Sequence, residues 1–303
     1  MLNYNIKSKY DNVNLNINKY ECDNPKAIVL IVHGMCEYKE RYDDFCKMLN
    51  NNGYLVYSYD HRGHGKSVNE NGYGYFSKKH GHIAIVEDLK SVITHIKVEN
   101  PGEKLYLFAH SMGTIVTRLY LQTDSKCINK LILCGAPNYR SESKFGVFLA
   151  SCIKFFQGDK KSSKLLTKLS VGSFNNSVEN PISKNNWISY NEENVKKYDN
   201  DKLCNFTFTN SAYKDLFTML SNIGSPKKYT NINNNLPIKF IAGEDDPCTG
   251  GTKGLNSSIG ILVKAGFINI DKYEFPHMRH EILNETDKES VYNLVLKFYD
   301  EVL

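Results

Sequence analysis

A chain of 303 residues with 41% hydrophobic and 23% charged residues can bury a full core, as one large α/β domain or as a domain carrying an insertion. A net charge of +5, with no dense basic stripe and no nucleic-acid-binding module, argues against nucleic acid as a partner. The longest uniform apolar run, Ala27 to Val32, is too short to span a bilayer, and MLNYNIKSKY at the start has no apolar signal core. Eight scattered cysteines without a C-x-x-C pair complete the expectation of a cytoplasmic protein with free thiols, without a disulfide framework or a zinc site.

The predicted elements alternate through the first 137 residues. KAIVLIVH (26–33) is a continuous apolar run with β-branched residues, the pattern of a strand buried on both faces. Tyr42, Phe45, Cys46 and Leu49 recur at helical spacing before the Asn-Asn-Gly stop at 51–53. YLVYSYD (54–60) predicts a second strand, and Ile85, Val86, Leu89, Val92, Ile93 and Ile96 predict a helix with one apolar stripe. KLYLFAH (104–110) and NKLILCG (129–135) are further strands, with a helix carrying Ile115, Val116, Leu119 and Tyr120 between them. This βαβαβ rhythm predicts a mainly parallel sheet with helices on both faces.

The rhythm stops after Pro137. Residues 138–235 are helical and irregular in pattern and hold 14 Lys/Arg against 8 Asp/Glu, so the net positive charge is concentrated there. It resumes with LPIKFIAG (236–243), a helical stretch around 252–265, the strand NIDKYEF (269–275) and a last helix. That helix is expected to open on a capping box, Thr286-x-x-Glu289, and to bury Val291, Leu294, Val295, Phe298 and Val302. The domain reading is an α/β core of residues 1–137 and 236–303 with a helical cap, 138–235, inserted into it.

The chemistry starts at YLFAHSMGTIV (106–116), where a strand runs into Ser111. The flanking Ala109 and Gly113 almost complete the nucleophile elbow Gly-x-Ser-x-Gly; alanine at the first position adds only a methyl group. A serine hydroxyl needs a base, an orienting acid and donors for the developing oxyanion. The acid candidates Glu244, Asp245 and Asp246 follow the strand PIKFIAG, and the base candidates His277 and His280 follow KYEF. Loops past the carboxyl ends of parallel strands converge on one rim, so groups far apart in the chain can meet there. The oxyanion N–H groups are expected from Met112, next to the serine, and from Met35 in the loop IVHGM (31–35). HMRHE does not match H-E-x-x-H, and DHRGHGKS (60–67) lacks the first glycine of a phosphate-binding loop because Asp60 stands there.

With these residues in place, the chain resembles the lysophospholipase and monoacylglycerol lipase branch of the α/β-hydrolases, a group that also carries a serine-aminopeptidase-like label. The matching stretches are VHGMCEYKERYDDF, YDHRGHGKS, FAHSMG, GEDDPC and HMRHEILNE, spanning residues 32 to 285. The resemblance implies a mostly parallel twisted sheet flanked by helices, with the helical cap entering after the sixth strand. It implies Ser111 as nucleophile, His280 as base and Asp246 as orienter, with no metal and no organic cofactor. The implied reaction is cleavage of lysophospholipid- or monoacylglycerol-like carboxylic esters through an acyl-enzyme. A small-ester esterase, a thioesterase, an aminopeptidase and a non-catalytic binding member are the alternatives.

Relatives of this kind use the cap to form an acyl tunnel, which makes Phe145, Phe148 and Leu149 the expected substrate contacts. Together with Cys152 and Phe156 they recur at helical spacing, flanked by Lys144, Lys154, Lys160 and Lys161. That apolar face is expected to pack on the domain beneath; transient contact with an anionic membrane surface is the second reading.

Overall fold

The computed structural model describes residues 1–302. Eight strands form one sheet: β1 (Leu2–Lys7), β2 (Asn14–Tyr20), β3 (Ile28–Val32), β4 (Leu55–Tyr59), β5 (Leu105–His110), β6 (Lys130–Cys134), β7 (Ile238–Gly243) and β8 (Ile270–Phe275). Their order across the sheet is β1-β2-β4-β3-β5-β6-β7-β8. The β1–β2 and β2–β4 pairs are antiparallel, and every pair from β4 onward is parallel. The antiparallel start had no counterpart among the predicted strands: asparagine, depleted in strands, occupies five of the thirteen positions of β1 and β2, although Leu2, Tyr4 and Ile6 and then Leu15 and Ile17 alternate with polar residues.

Strand β3 shows why the central strands read as unbroken apolar runs. Ile28, Leu30 and Val32 point into one core layer, while Val29 and Ile31 point into the other. Each such side chain contributes about 1.5–3 kcal/mol on burial, so both faces of the sheet must be covered. Helices α1 (Asp43–Asn51) and α9 (Lys288–Asp300) cover one face through Phe45, Leu49, Val291 and Val295. Helices α2 (Gly81–Glu99), α3 (Met112–Leu121) and α8 (Gly251–Ala265) cover the other through Ile85, Leu89, Ile115, Val116 and Leu255.

Lys130 sits at the start of β6 with its side chain buried. Its ammonium donates to the carbonyls of Phe298 (2.7 Å), Tyr299 (3.1 Å) and Glu301 (2.6 Å) at the end of α9. These are the carbonyls a helix leaves without partners, at the negative end of its dipole.

Between β6 and β7 the chain forms α4 (Ser143–Gln157), α5 (Lys164–Val171), α6 (Glu192–Asn200) and α7 (Asn210–Asn222). Helix α4 packs on α7 through Ser143, Gly146 and Ala150; a Cβ on Gly146 would lie 2.9 Å from the Phe217 ring. The expected packing face of α4 is therefore wrong. Phe145, Phe148 and Phe156 lie on the opposite side and are 63%, 64% and 82% exposed, with Phe155 at 83%. Small residues set the face, because only they let the two backbones approach.

The last helix also departs from expectation. It begins at Lys288 with Asp287 at the N-cap, so Glu289 falls at the second helical position and cannot close a box with Thr286. Ser290 Oγ donates to the Asp287 carbonyl at 2.8 Å instead. The helix ends at Asp300, which leaves Val302 exposed. All eight cysteines are free. Among the described residues no helix is long and apolar enough to cross a membrane.

Candidate active site

Ser111 occupies the sharp turn between β5 and α3, at φ 51° and ψ −121°. Its N–H donates to the Cys134 carbonyl on the neighbouring strand at 3.0 Å, which holds the turn against β6. Gly113 allows α3 to start this close to the sheet, since a Cβ there would stand 2.2 Å from the Val32 carbonyl oxygen. A non-glycine residue with positive φ stores about 1–3 kcal/mol of backbone strain. Ser111→Gly is therefore expected to be about 1 kcal/mol more stable than Ser111→Ala in urea unfolding, since both lose the hydroxyl but only glycine relieves the backbone. Equal stabilities would count against strain at this turn.

The loops after β7 and β8 deliver the other two groups. Asp246 is buried; its Oδ1 accepts the Cys248 N–H at 2.8 Å, and Thr249 Oγ1 donates to its carbonyl at 2.9 Å. Glu244 and Asp245 beside it are exposed, as is His277. His280 is buried, with Nε2 2.8 Å from Ser111 Oγ and Nδ1 2.9 Å from Asp246 Oδ2. Burial thus separates the members of both candidate sets. Gly135, at φ 56°, forms the back wall: a Cβ there would lie 3.0 Å from His280 Nδ1.

A second polar cluster lies against these residues. Glu37 Oε1 accepts from the Gly34 N–H (2.6 Å), the Tyr42 hydroxyl (2.8 Å) and His110 Nδ1 (3.2 Å). Its Oε2 accepts from Arg41 (2.8 Å), which also makes a fork to Glu281 at 2.7 Å on both arms. Burial alone would raise the Glu37 carboxyl, but His110 and Arg41 outweigh it and hold it well below the usual range. For His110, burial works against the charged form, and Glu37 more than offsets it, so its pKa is raised. Both ring nitrogens of His110 face acceptors, Glu37 and the His280 carbonyl (3.2 Å), and its ring lies 4.7 Å from the His280 ring. This cluster links the loop after β3 to the loop carrying His280.

The end of β3 is fixed differently. His33 Nδ1 donates to the Gly34 carbonyl at 2.8 Å while Nε2 accepts the His61 N–H at 2.9 Å, so one neutral tautomer satisfies both. Burial lowers the pKa values of His33 and His61, and that of His64 to about 3. In the loop 60–67 the Asp60 carboxylate accepts from the Lys39 ammonium (2.8 Å) and the Lys66 N–H (2.8 Å). A Cβ on Gly65 would press on that carboxylate. The stretch that resembles a phosphate loop is filled by its own side chain.

Ser111 and His280 open onto a cavity of about 1090 Å³, lined among others by Met35, Met112, Phe145, Trp187, Phe206 and Leu216. Of the three expected substrate contacts, only Phe145 lines it. Phe148 points to solvent, and Leu149 is half-buried against the core under α4. Trp187, from the segment between α5 and α6, places its ring 4.9 Å from that of His280. It is the chain's single tryptophan; the sequence likens it to a cap element of related proteins and assigns it no role. Glu37, Arg41 and His110 stand inside quoted motifs, but nothing in the chain alone pairs residues 73 positions apart.

Among curated proteins, the monoglyceride lipase of Rattus norvegicus is 27% identical over 59% of this chain, and the match spans about half, 52%, of that relative. The phospholipase YtpA of Bacillus subtilis is 24% identical over 94% of this chain and 99% of its own length. The crystal structure of a thermostable carboxyl esterase from Bacillus coagulans, in complex with glycerol, superposes with a TM-score of 0.90 at 25% identity, covering 98% of this chain and 97% of that one. The profile of the family described as "Serine aminopeptidase, S33" matches residues 23–287, so with this sheet, this turn and this three-residue cluster the chain belongs to that family of α/β-hydrolases.

Proposed function

We propose that the chain is a serine carboxylic-ester hydrolase acting on monoacyl lipids, monoacylglycerols or lysophospholipids, through an acyl-enzyme on Ser111. The observation that carries this reading is the relay from Ser111 to His280 to Asp246 opening onto a large cavity with methionine, phenylalanine and leucine in its wall. In the proposed mechanism Ser111 Oγ attacks the acyl carbonyl as His280 Nε2 takes its proton. The backbone N–H groups of Met35 and Met112, residues that line the same cavity as Ser111, stabilise the oxyanion in this mechanism. His280 then protonates the leaving alcohol, and water releases the fatty acid.

A fluorophosphonate probe is expected to label the folded protein once per chain and to leave Ser111→Ala unlabelled. Equal labelling of the two proteins would end the serine-hydrolase reading. Among p-nitrophenyl esters, turnover is expected to favour medium and long acyl chains. A preference confined to acetyl and butyryl esters would instead favour a small-ester esterase. Parallel assays on a monoacylglycerol and a lysophospholipid identify the head group.

The exposed face of α4 supports a lipid substrate presented at a surface. Four phenylalanines, 145, 148, 155 and 156, share one side of the helix, and Lys144, Lys160, Lys161, Lys164 and Lys168 lie in or near it along the chain. Contiguous exposed apolar side chains rimmed by cations fit an anionic lipid–water interface. Replacing Phe155 and Phe156 by serine is expected to weaken binding to vesicles containing anionic lipid by at least tenfold, since each ring contributes about 1.5–3 kcal/mol when buried. Unchanged co-sedimentation with vesicles would sink the docking reading.

A further inference from the structure

Cys248 stands two residues beyond Asp246, buried, with its side chain in the cavity wall beside Ser111. The proposed ester chemistry gives it no task. Its Sγ, a carboxylate oxygen of Asp246 and a ring nitrogen of His280 lie within 4.8 Å of one another, all three residues buried. The geometry points to an inhibitory zinc site built on Asp246, Cys248 and His280, in which the metal ion switches the triad off.

The donor set selects the ion. A thiolate, an imidazole nitrogen and a carboxylate oxygen are the ligands zinc takes in four-coordinate sites, with a water as the usual fourth ligand where the protein supplies three. Magnesium and calcium prefer all-oxygen shells and do not match a sulfur and nitrogen pair. The three residues are also held in place before any ion arrives. The Cys248 N–H is bonded to Asp246, and Asp246 is bonded to His280.

The protons balance simply. His280 Nδ1, 2.9 Å from Asp246 Oδ2, is the ring nitrogen on the carboxylate side. When zinc bonds to Nδ1, the Asp246 oxygen and Cys248 Sγ, the thiol proton leaves to solvent. The neutral imidazole keeps its one proton, now on Nε2. Nε2 then faces Ser111 Oγ as a donor and cannot accept the serine proton. Inhibition follows from the exchanged tautomer, without any change at Ser111 or in the acyl cavity.

Zinc binding itself stands on the three ligands, whereas the loss of turnover rests on the hydrolase reading, so two measurements separate them. After treatment with EDTA and buffer exchange, the full chain is titrated with zinc chloride by calorimetry, and retained metal is counted by mass spectrometry. Ser111→Ala is expected to retain one zinc per chain. Cys248→Ser, which preserves volume, and Cys248→Ala are each expected to bind at least tenfold more weakly. In parallel, zinc but not magnesium is expected to inhibit p-nitrophenyl ester turnover, EDTA is expected to restore it, and both cysteine variants are expected to need at least tenfold more zinc. Retention of one zinc by the folded cysteine variants at wild-type affinity would overturn the site, as would the absence of stoichiometric zinc on Ser111→Ala. Zinc binding without loss of turnover would leave the three ligands standing and overturn the inhibitory role.

Discussion

His280→Ala is expected to lower the turnover of an ester substrate by a factor on the order of 10⁶, and Asp246→Asn by about 10⁴. The two effects differ because the residues act at different removes from the hydroxyl. His280 Nε2 is 2.8 Å from Ser111 Oγ and is the one group placed to take its proton. Asp246 works through His280: its carboxylate can only accept, so it requires the proton on Nδ1 and leaves Nε2 bare. An asparagine can present its NH₂ to Nδ1 and reverse the tautomer while keeping the shape. KM is expected to change little in Asp246→Asn, because Asp246 lies behind His280 and outside the cavity wall. The check is steady-state kinetics beside unfolding midpoints that show both variants folded. If Asp246→Asn kept more than about a hundredth of the wild-type turnover, the orienting role would have to pass to another group. Glu244 and Asp245 are exposed and do not offer that geometry.

Glu37→Ala is expected to cost about 3–5 kcal/mol of folding stability, the penalty for removing one partner from a buried charged cluster. Four donors lose their acceptor at once: the Gly34 N–H, the Tyr42 hydroxyl, Arg41 and His110. Arg41 keeps its fork to Glu281, so His110 and the Gly34 backbone carry most of the loss. The pH dependence follows from the directions of the two shifts. A carboxyl held low in the folded state, as Glu37 is, contributes above its unfolded pKa of about 4.3 and loses that contribution as pH falls through the folded value. His110 is held high, so its contribution is complete below its unfolded pKa of about 6.5 and fades as pH rises through the raised value. Urea midpoints of wild type and Glu37→Ala should therefore differ most between about pH 4.3 and 6.5. The gap should narrow on the alkaline side without closing, because Arg41 stays charged. A gap that does not change between pH 5 and 9 would mean that His110 is uncharged throughout.

Much of the scaffold is legible in the chain because its signals are local. KAIVLIVH and KLYLFAH announce strands buried on both faces, and FAHSMG, GEDDPC and HMRHE each stand at or just past the end of a strand. What the chain hides is which of several similar residues turns inward. Asp246 and Asp245 are neighbours of the same chemistry, and only the packing of the loop buries one and exposes the other. The face of α4 is hidden for a related reason. Its phenylalanine stripe is plain from the spacing, but contact with α7 is decided by Gly146 and Ala150, which contribute almost nothing to an apolar pattern. The Glu37 cluster and the approach of Trp187 to His280 join residues of distant segments, and one-dimensional spacing holds no record of them.

The anchoring of Lys130 sets an order of events during synthesis. The carbonyls that receive its ammonium lie 168 to 171 residues further along the chain. Tyr299 likewise donates its hydroxyl to the Leu107 carbonyl, across 192 residues. Until the last helix has emerged from the ribosome, the middle of the sheet must carry a charged amine with no acceptor and one uncovered face. Contacts of such long sequence separation close slowly. The central strands therefore reach their final packing only after α9 has been made, and until then the uncovered face of the sheet is open to misassembly.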